Sequence, residues 1–255
     1  AAMGKKIIDL GGDFRFKNTD IYEKWYGKEH TAKDAVKDFV YGLPELYSDE
    51  IKTANCIANP GCYPTGSILA LAPILQSDLV DTKNIVINAL SGVSGAGRKA
   101  TVDFSFCEVN ETVKAYKIGN HQHSPEIKSV VEHYAGKKVN LIFVPHLIPI
   151  SRGIYTTIYL KPVAEEISID KLRKLYSDFY KDSEFVRMSD TVPQIQNVVY
   201  TNFCDLYVTY SEDSGYIVIN SVIDNLVKGA AGQAVQNMNL MFDYKEGEGL
   251  NGTRN

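Results

Sequence analysis

One cysteine stands where its thiol could act as a nucleophile. Cys62 lies in the segment NPGCYPT at 59–65, in which the Pro-Gly pair predicts a tight turn. An apolar stripe follows and predicts a helix over 67–76, capped by Thr65. A cysteine just before a helix start meets the helix dipole and free N–H groups, which favour a thiolate and could hold an oxyanion. The sequence predicts an unusually acidic, nucleophilic Cys62, with a buried structural cysteine as the alternative.

Two histidines could move the protons that a reactive thiol needs. His121 and His123 lie in the segment HQHSPEI at 121–127, on the loop before a helix predicted to start at Pro125. A histidine can take the thiol proton and return it to an alkoxide, and Glu126 could orient the ring. An HxH pair is also a metal pattern, and a purely structural pair of exposed histidines is a further alternative. The sequence offers no third ligand at a diagnostic spacing, so we expect no metal.

Three arginines beside turn-forming residues could bind an anion. The loop SGVSGAGR at 91–98 follows a predicted strand and ends in Arg98, and such a backbone can approach a phosphate. Arg15 follows a Gly-Gly turn, and Arg152 ends the segment HLIPISR. A guanidinium binds phosphate or carboxylate in bidentate fashion. Each arginine could equally be a solvated surface charge, and the loop an ordinary flexible connection.

The wider pattern predicts a strand-rich centre with helices on one face of a mixed or antiparallel sheet. Strands are predicted at 5–10, 85–90, 139–144, 153–161, 205–210 and 216–222. Helices are predicted at 20–26, 125–132, 170–180 and 230–242, and 41–48 is predicted to be a loop. The strand at 5–10 looks like the end of an α/β unit. The fold class is therefore α/β plus α+β.

Composition narrows the class of protein. The 255 residues are 44% hydrophobic and 23% charged, which is ordinary for a chain that buries a core. A net charge of −4 gives no support for a nucleic-acid or membrane surface, so the expected partner is a small molecule. The four cysteines form no CxxC pair, and no apolar run approaches a membrane span. We therefore expect a cytoplasmic location.

Taken together, these segments resemble one family, the N-acetyl-gamma-glutamyl-phosphate reductases of arginine biosynthesis. The matching segments, in the family's order, are IIDLGGDFRF (7–16), ANPGCYPTG (58–66), SGVSGAGR (91–98), GNHQHSPEI (119–127), VPHLIPISRGIY (144–155) and DNLVKGAAGQAVQNMNLMF (224–242). The resemblance implies an NADPH-dependent reduction of an acyl phosphate to a semialdehyde through a cysteine thioester.

The resemblance also implies a role for individual residues. Cys62 matches the nucleophile and His121 the acid/base histidine, with Glu126 as its orienting partner and His123 assisting. The substrate's anionic groups would meet Arg15, Arg98, Arg152 and Asn59. The NADP cofactor would meet Ser91, Gly92, Gly232, Gln233 and Asn237.

The implied architecture has three parts. Residues 1–61 would be a remnant of a Rossmann dinucleotide-binding domain, and 62–223 a catalytic and dimerisation domain like that of glyceraldehyde-3-phosphate dehydrogenase. Residues 224–255 would form a C-terminal helix that returns to the first part, and the protein would be a homo-oligomer, either a dimer or a tetramer. The family's opening strand and Gly-rich turn are missing here. We therefore expect a fragment without the main cofactor platform, whose NADP binding and activity are in doubt.

Three rival interpretations remain at this stage. Aspartate-semialdehyde dehydrogenase runs the same chemistry on a similar architecture. A cysteine hydrolase or acyltransferase would share the cysteine and histidine but would not need the C-terminal helix. A non-catalytic binding or assembly module is the third. Hydride transfer, measured as cofactor oxidation, separates the reductases from the other two.

Overall fold

The structure is a computed structural model that describes residues 4–97, 101–163 and 167–250. Within these residues the chain forms one three-stranded sheet and one seven-stranded sheet. The strands are β1 (Ile7–Asp9), β2 (Phe39–Tyr41), β3 (Cys56–Ala58), β4 (Ile85–Gly92), β5 (Lys114–Ala115), β6 (Leu141–Ile148), β7 (Ile154–Leu160), β8 (Val186–Met188), β9 (Cys204–Ser211) and β10 (Tyr216–Ile223). The α-helices are α1 (Thr19–Tyr26), α2 (Pro44–Thr53), α3 (Cys62–Gln76), α4 (Phe106–Val109), α5 (His123–Ala135), α6 (Ile169–Phe179) and α7 (Gly232–Met241).

The large sheet is mixed, in the order β5-β6-β4-β7-β10-β9-β8. Strand β4 pairs in parallel with β6 and antiparallel with β7, so parallel and antiparallel ladders meet at one strand. The alternation of β-branched and polar residues that predicted these strands reflects a sheet with one buried face. The predicted mixed-sheet fold is confirmed.

The helices α3, α5 and α6 cover one face of the large sheet, and α3 is the central one. Every side chain of α3 from Tyr63 to Leu75 is buried. The side chains that point to the opposite face of the sheet are only half-buried along β4 and β7. Within the described residues, the large sheet therefore has one packed face and one face without a covering layer.

The small sheet consists of parallel strands in the order β1-β3-β2. Strand β3 leads directly into the turn at 59–61 that precedes Cys62, which we call the nucleophile loop. The small sheet therefore positions this loop. We predicted a Rossmann remnant for this part of the chain, and that assignment stays a prediction.

Three local predictions were wrong. The segment 41–48 is not a loop, because it holds the end of β2 and the first half of α2, where Pro44 occupies the first helical turn. Helix α3 begins at Cys62 with Gly61 as its N-cap, so Thr65 lies one turn inside the helix and does not cap it. A π-helical turn, Val227–Ala231, precedes α7, which begins at Gly232, two residues later than predicted.

Candidate active site

A cavity of about 540 Å³ opens in front of Cys62. The start of α3, the end of β4 with the loop that follows it, and the segment from β5 to the start of α5 form most of its walls. Its nucleophilic and ionisable lining residues include Cys62, Ser91, Asp103, Lys114, Lys117, His121 and His123. The structure therefore brings the predicted cysteine and both predicted histidines to one cavity.

Cys62 is the first residue of α3, and its thiol is not acidic. Burial raises the pKa of the Cys62 thiol to about 11, although the Tyr63 N–H and the Arg15 guanidinium oppose the shift. The thiol is therefore protonated at neutral pH in this structure. The prediction of an unusually acidic Cys62 is wrong, because the cost of burying a thiolate exceeds the gain from the helix start.

Glu126 holds the nucleophile loop and does not orient a histidine. Its Oε1 accepts hydrogen bonds from the Gly61 N–H and from the Tyr41 hydroxyl, each at 2.9 Å. Its Oε2 lies 3.1 Å from a terminal nitrogen of Arg15. These three donors come from three separate segments and engage both carboxylate oxygens. The predicted Glu126–His121 pair is therefore corrected: Glu126 fixes the residue that precedes Cys62.

The two histidines differ in what they present to the cavity. His121 Nδ1 accepts a hydrogen bond from the His123 backbone N–H at 3.1 Å. Because a backbone N–H is always a donor, the neutral His121 ring carries its proton on Nε2. Burial, together with the nearby His123 and Lys117, lowers the pKa of His121 to about 3. His121 is thus a neutral ring that offers an N–H.

His123 packs directly on the turn that precedes the thiol. A Cβ atom on Gly61 would lie 2.5 Å from His123 Nε2, so only glycine leaves room for this ring. Burial, followed by the charges of Arg15 and Lys117, lowers the pKa of His123 well below its ordinary value. Its Nδ1 is buried and has no hydrogen-bond partner within the described residues.

Aromatic rings enclose the histidines. The ring centroids of His121 and His123 are 4.8 Å apart. Tyr63 meets both rings edge-on, and its hydroxyl lies 3.0 Å from that of Tyr116. This apolar shell is the physical reason for the lowered histidine pKa values.

Two of the arginines predicted to bind substrate are already occupied. The Arg15 nitrogens donate to the Leu10 and Asn59 carbonyls and to Glu126. Burial is the largest single influence and lowers the pKa of Arg15, but Glu126, Tyr26 and Tyr41 together raise it above its ordinary value. Arg152 makes a bidentate ion pair with the buried Asp224, at 3.0 and 3.1 Å. Neither arginine lines the cavity of about 540 Å³, and both have protein partners, so their role in substrate binding stays a prediction. Arg98 lies outside the described residues.

Asn59 is also internal, and its side chain has two protein partners. Its Nδ2 donates to the Ala230 carbonyl and its Oδ1 accepts from Asn237 Nδ2, each at 3.0 Å. Asn237 Nδ2 also donates to the Gly42 carbonyl. The two asparagines therefore connect the turn before Cys62 to α7, and the ligand role predicted for each of them stays a prediction.

The residues predicted to meet the cofactor fall into two groups. A Cβ on Gly92 would lie 2.8 Å from the backbone of Ser151 and Arg152, and one on Gly232 would lie 2.5 Å from Asn202 and Val227. Close packing against these neighbours is sufficient to require glycine at both positions. Ser91 lines the cavity, and Gln233 is fully buried with neither side-chain atom hydrogen-bonded within the described residues. Unpartnered buried amide atoms fit a site that a polar ligand group completes.

The sequence interpretation missed two cations. Lys114 and Lys117 line the cavity on the loop that leads to the histidines. Lys117 has a left-handed backbone, with φ at 45°, and its Nζ lies 3.1 Å from Gln122 Oε1. The available signal was the segment VKAYK at 113–117, which is separated from the HQH segment by three residues and so places two ammonium groups near the predicted acid/base pair.

Comparison with known proteins identifies the family. Residues 62–225 match the family described as semialdehyde dehydrogenase, dimerisation domain. The N-acetyl-gamma-glutamyl-phosphate reductase of Clostridium novyi (strain NT) is 47% identical over 249 residues, which are 98% of this chain and 72% of that protein. The enzyme of the same name from Methanococcus maripaludis (strain C5 / ATCC BAA-1333) is 49% identical and is matched over 97% of this chain and 71% of its own length. The chain belongs to the N-acetyl-gamma-glutamyl-phosphate reductase family. The resemblance drawn from the motifs is confirmed.

Solved structures of another enzyme share the fold of this reductase family member. Aspartate semialdehyde dehydrogenase II from Vibrio cholerae superposes with a TM-score of 0.66 at 17% identity, over 92% of this chain and 72% of that one. A probable aspartate-semialdehyde dehydrogenase from Pseudomonas aeruginosa gives a TM-score of 0.64 at 16% identity, over 94% of this chain and 73% of that one. Identities this low support the common fold alone. The rival assignment to aspartate-semialdehyde dehydrogenase is the less supported one, because the relatives near half identity are N-acetyl-gamma-glutamyl-phosphate reductases.

Two further observations bear on ligands and location. Across residues 4–97, 101–163 and 167–250, no group of three or more His, Cys, Asp or Glu side chains is arranged to hold a metal ion. None of the helices in those ranges has the length and apolar character needed to cross a membrane.

Proposed function

We propose that this chain carries out the acyl-transfer and reduction chemistry of its family, the NADPH-dependent conversion of N-acetyl-gamma-glutamyl phosphate to the semialdehyde in arginine biosynthesis. The observation that carries the proposal is the position of Cys62, at a helix N terminus and facing a cavity shared with His121, His123 and two lysines. A cytoplasmic location, expected from the cysteine usage, belongs to the same proposal.

The first step forms a thioester. The Cys62 sulfur attacks the γ-acyl carbon, the C–S bond forms, and the carbon–oxygen bond to phosphate breaks with its electron pair on the phosphate. The thiol proton leaves with that phosphate as HPO₄²⁻, so atoms and charge balance. Because the pKa of Cys62 is raised to about 11, the proton is transferred only when substrate is in place, and no thiolate is stored beforehand.

His121 donates a hydrogen bond to the carbonyl oxygen that becomes negatively charged when Cys62 attacks. Its Nε2–H results from the hydrogen bond that Nδ1 accepts, so this ring stabilises an oxyanion on the attacked carbonyl. This assignment refines the acid/base role implied by the family resemblance. His123 fills the space beside Gly61 and keeps water away from the thiol.

The anionic groups of the substrate meet Lys114 and Lys117. Both ammonium groups line the cavity. Lys114 lies 3.7 Å from the exposed Asp103 carboxylate, a solvated pair that a substrate anion can replace, whereas Arg15 and Arg152 are held in ion pairs with fully buried carboxylates. An ammonium group on a flexible stem can follow a phosphate as it leaves. Arg98 is retained as a candidate from the resemblance.

The nicotinamide cofactor, which supplies hydride to the thioester when bound, is assigned to Ser91 and Gln233. Gln233 offers buried amide atoms that lack partners in the described residues, and Ser91 lies beside the thiol in the cavity. We also retain the division of the chain into a partial dinucleotide-binding part at 1–61, a catalytic part at 62–223 and a returning helix at 224–255.

We further propose that the protein is a homodimer joined through the uncovered face of the large sheet. The family matched at residues 62–225 is described as a dimerisation domain. Half-buried side chains such as Tyr155, Thr157 and Tyr159 alternate along β7 on that face and provide an apolar and polar surface for a second copy. Sedimentation that gives twice the monomer mass would support this assembly, and a monomer at micromolar concentration would count against it.

The test of the proposed function uses acyl transfer, which needs no cofactor. The chain is mixed with N-acetyl-gamma-glutamyl phosphate, and the protein is digested and analysed by mass spectrometry. We expect an acyl adduct on Cys62 and none on Cys107, which is exposed and lies outside the cavity. An unmodified Cys62, or equal modification of both cysteines, would overturn the thioester route.

A second assay separates the reductase from a hydrolase or acyltransferase. Phosphate-dependent reduction of NADP⁺ by N-acetylglutamate semialdehyde requires hydride transfer. Acylation of Cys62 together with this activity supports the reductase. Acylation followed only by hydrolysis would favour the rival class.

A further inference from the structure

The π-helical turn Val227–Ala231 lies directly behind the nucleophile. A π-helical turn contains one more residue than an α-helical turn, and such turns are frequent at functional sites. Its bonds here are Gly229 N–H to the Asp224 carbonyl at 2.9 Å and Ala231 N–H to the Leu226 carbonyl at 3.0 Å. Each spans five residues. The backbone of Gly229 is thereby brought against Cys62.

The contact between this turn and Cys62 leaves no room for a side chain. A Cβ on Gly229 would lie 2.9 Å from the Cβ of Cys62 and 3.2 Å from its Cα. Both atoms belong to the nucleophile itself, so no flexible side chain can rotate away to relieve the overlap. A change at Gly229 must therefore move Cys62 or the turn.

A wholly buried ion pair fixes the turn. Lys228 is 0% exposed, and its Nζ lies 2.5 Å from Glu45 Oε1 and 2.7 Å from Gln236 Oε1. Gln236 Nε2 donates to the same Glu45 oxygen at 3.0 Å. A lysine is almost never fully buried without such partners. Lys228 therefore anchors the turn to both α2 and α7.

Two further bonds hold the turn in register with the nucleophile loop. Asn59, three residues before Cys62, donates to the Ala230 carbonyl at 3.0 Å. Asp224, at the start of the turn, accepts from the backbone N–H groups of Leu226 and Val227 and is itself held by Arg152. The turn is thus fixed from both ends and from its buried side.

We infer that this turn positions Cys62, with Gly229 setting the distance of the nucleophile from the backbone behind it and Lys228 anchoring the turn. Neither residue touches substrate, so both are positioning residues. The inference rests on the proposed role of Cys62 as the nucleophile and adds the element that places its thiol against the Tyr63 N–H.

The test measures the reactivity of the thiol and not only turnover. The rate of Cys62 alkylation by iodoacetamide is followed between pH 7 and 10, with the modified peptide identified by mass spectrometry so that the exposed Cys107 does not interfere. We expect Gly229→Ala to slow alkylation at pH 8 about tenfold, because moving the sulfur from the Tyr63 N–H removes a group that favours the thiolate.

Gly215→Ala is the matched control. Gly215 has a φ of +64° in the β9–β10 hairpin, and the nearest atom to an added Cβ would be 3.9 Å away. The control should lower the melting temperature through backbone strain and leave the alkylation profile unchanged. A folded Gly229→Ala protein whose profile overlays that of the parent would overturn the inference.

A second variant keeps the inference testable if Gly229→Ala does not fold. The double change Lys228→Met and Glu45→Gln removes both charges together and leaves no unpaired buried charge. We expect at least a threefold change in the alkylation rate of Cys62, and an unchanged rate would overturn the anchoring role. Failure of the parent to be acylated by the acyl phosphate would instead count against the proposed function, so the two failures are distinguishable.

Discussion

Cys62 and Cys204 occupy regions that share several features. Burial raises the pKa of both thiols, to about 11 for Cys62 and about 12 for Cys204. An arginine–carboxylate pair lies beside each, Arg15–Glu126 at Cys62 and Arg187–Asp205 at Cys204. The thiol pKa therefore does not separate a nucleophile from a structural cysteine in this molecule.

The two regions differ in the access that a substrate has to the sulfur and in the hydrogen-bond donors that surround the sulfur. Cys62 starts a helix and faces a cavity of about 540 Å³ with two neutral histidines. Cys204 starts β9 with 0% exposure, and its sulfur lies 3.5 Å from the Ser221 hydroxyl. Reactivity here depends on free N–H groups and on room for an acyl group, and the following predictions test that difference.

The largest expected effect comes from replacing each sulfur. Cys62→Ser should lower phosphate-dependent NADP⁺ reduction by about 10³-fold or more, because a hydroxyl is a poor nucleophile and a poor leaving group at this position. Cys204→Ser should retain turnover within about twofold, because its sulfur is wholly buried and does not line the cavity in front of Cys62. Steady-state rates on both variants check the prediction. Comparable losses would remove the distinction between the two regions.

The next effect concerns the two ion pairs. The Arg15 and Glu126 side chains are 7% and 0% exposed, whereas Arg187 is 45% exposed. Arg15→Met strands a buried carboxylate and should lower the free energy of unfolding by about 3–5 kcal/mol. Arg187→Met should cost less, about 1–2 kcal/mol, because its guanidinium is partly solvated although Asp205 is only 9% exposed. Urea denaturation measures both.

A double variant tests whether the stranded charge is the cause. Arg15→Met combined with Glu126→Gln removes the unpaired carboxylate, so most of the lost stability should return. If the double variant is no more stable than Arg15→Met alone, packing around Arg15 and not its charge explains the loss.

The third effect is the pH dependence of Cys62 labelling. A raised pKa keeps the thiol protonated, so the thiolate fraction is about 10⁻⁴ at pH 7 and rises about tenfold per pH unit. Iodoacetamide labelling of the substrate-free protein should therefore rise about 100-fold between pH 7 and 9 without reaching a plateau. A plateau near pH 8 would restore the acidic thiol that the helix start predicted.

Much of the fold follows from local pattern. Strands β4, β6, β7, β9 and β10 were predictable because alternating β-branched residues suit a sheet with one buried face. The helix start at Cys62 was misplaced by a few residues, because a threonine one turn inside a helix can look like a cap. The hydroxyl of Thr65 in fact donates to the Gly61 carbonyl at 3.0 Å.

The partners of the site residues were less predictable. Glu126 lies five residues after His121 in sequence, which suggested a pair, but its carboxylate reaches Arg15 and Tyr41, which are 111 and 85 positions away. Only the tertiary fold, which brings the first turn of α5 to the end of β2 and to the loop after β1, places these groups together. A single sequence does not show which polar groups already have buried partners. For this reason we interpreted three further residues as ligands: Arg15, Arg152 and Asn59.

The smallest expected effects come from removing one hydroxyl beside each cysteine. Ser221→Ala removes a weak contact to the Cys204 sulfur and should cost less than about 1 kcal/mol. Burial and not the hydroxyl protects that sulfur, so Cys204 should stay unlabelled in the native protein. Thr65→Val also removes one hydrogen bond, but the Gly61 carbonyl that loses it belongs to the turn before Cys62. Thr65→Val should therefore lower the free energy of unfolding by a similarly small amount. Unlike Ser221→Ala, it should also measurably change the rate at which Cys62 is labelled. Peptide mass spectrometry after a timed pulse compares the two variants. Native-state labelling of Cys204 in Ser221→Ala would mean that a hydrogen bond, and not exclusion from the cavity, keeps it inert.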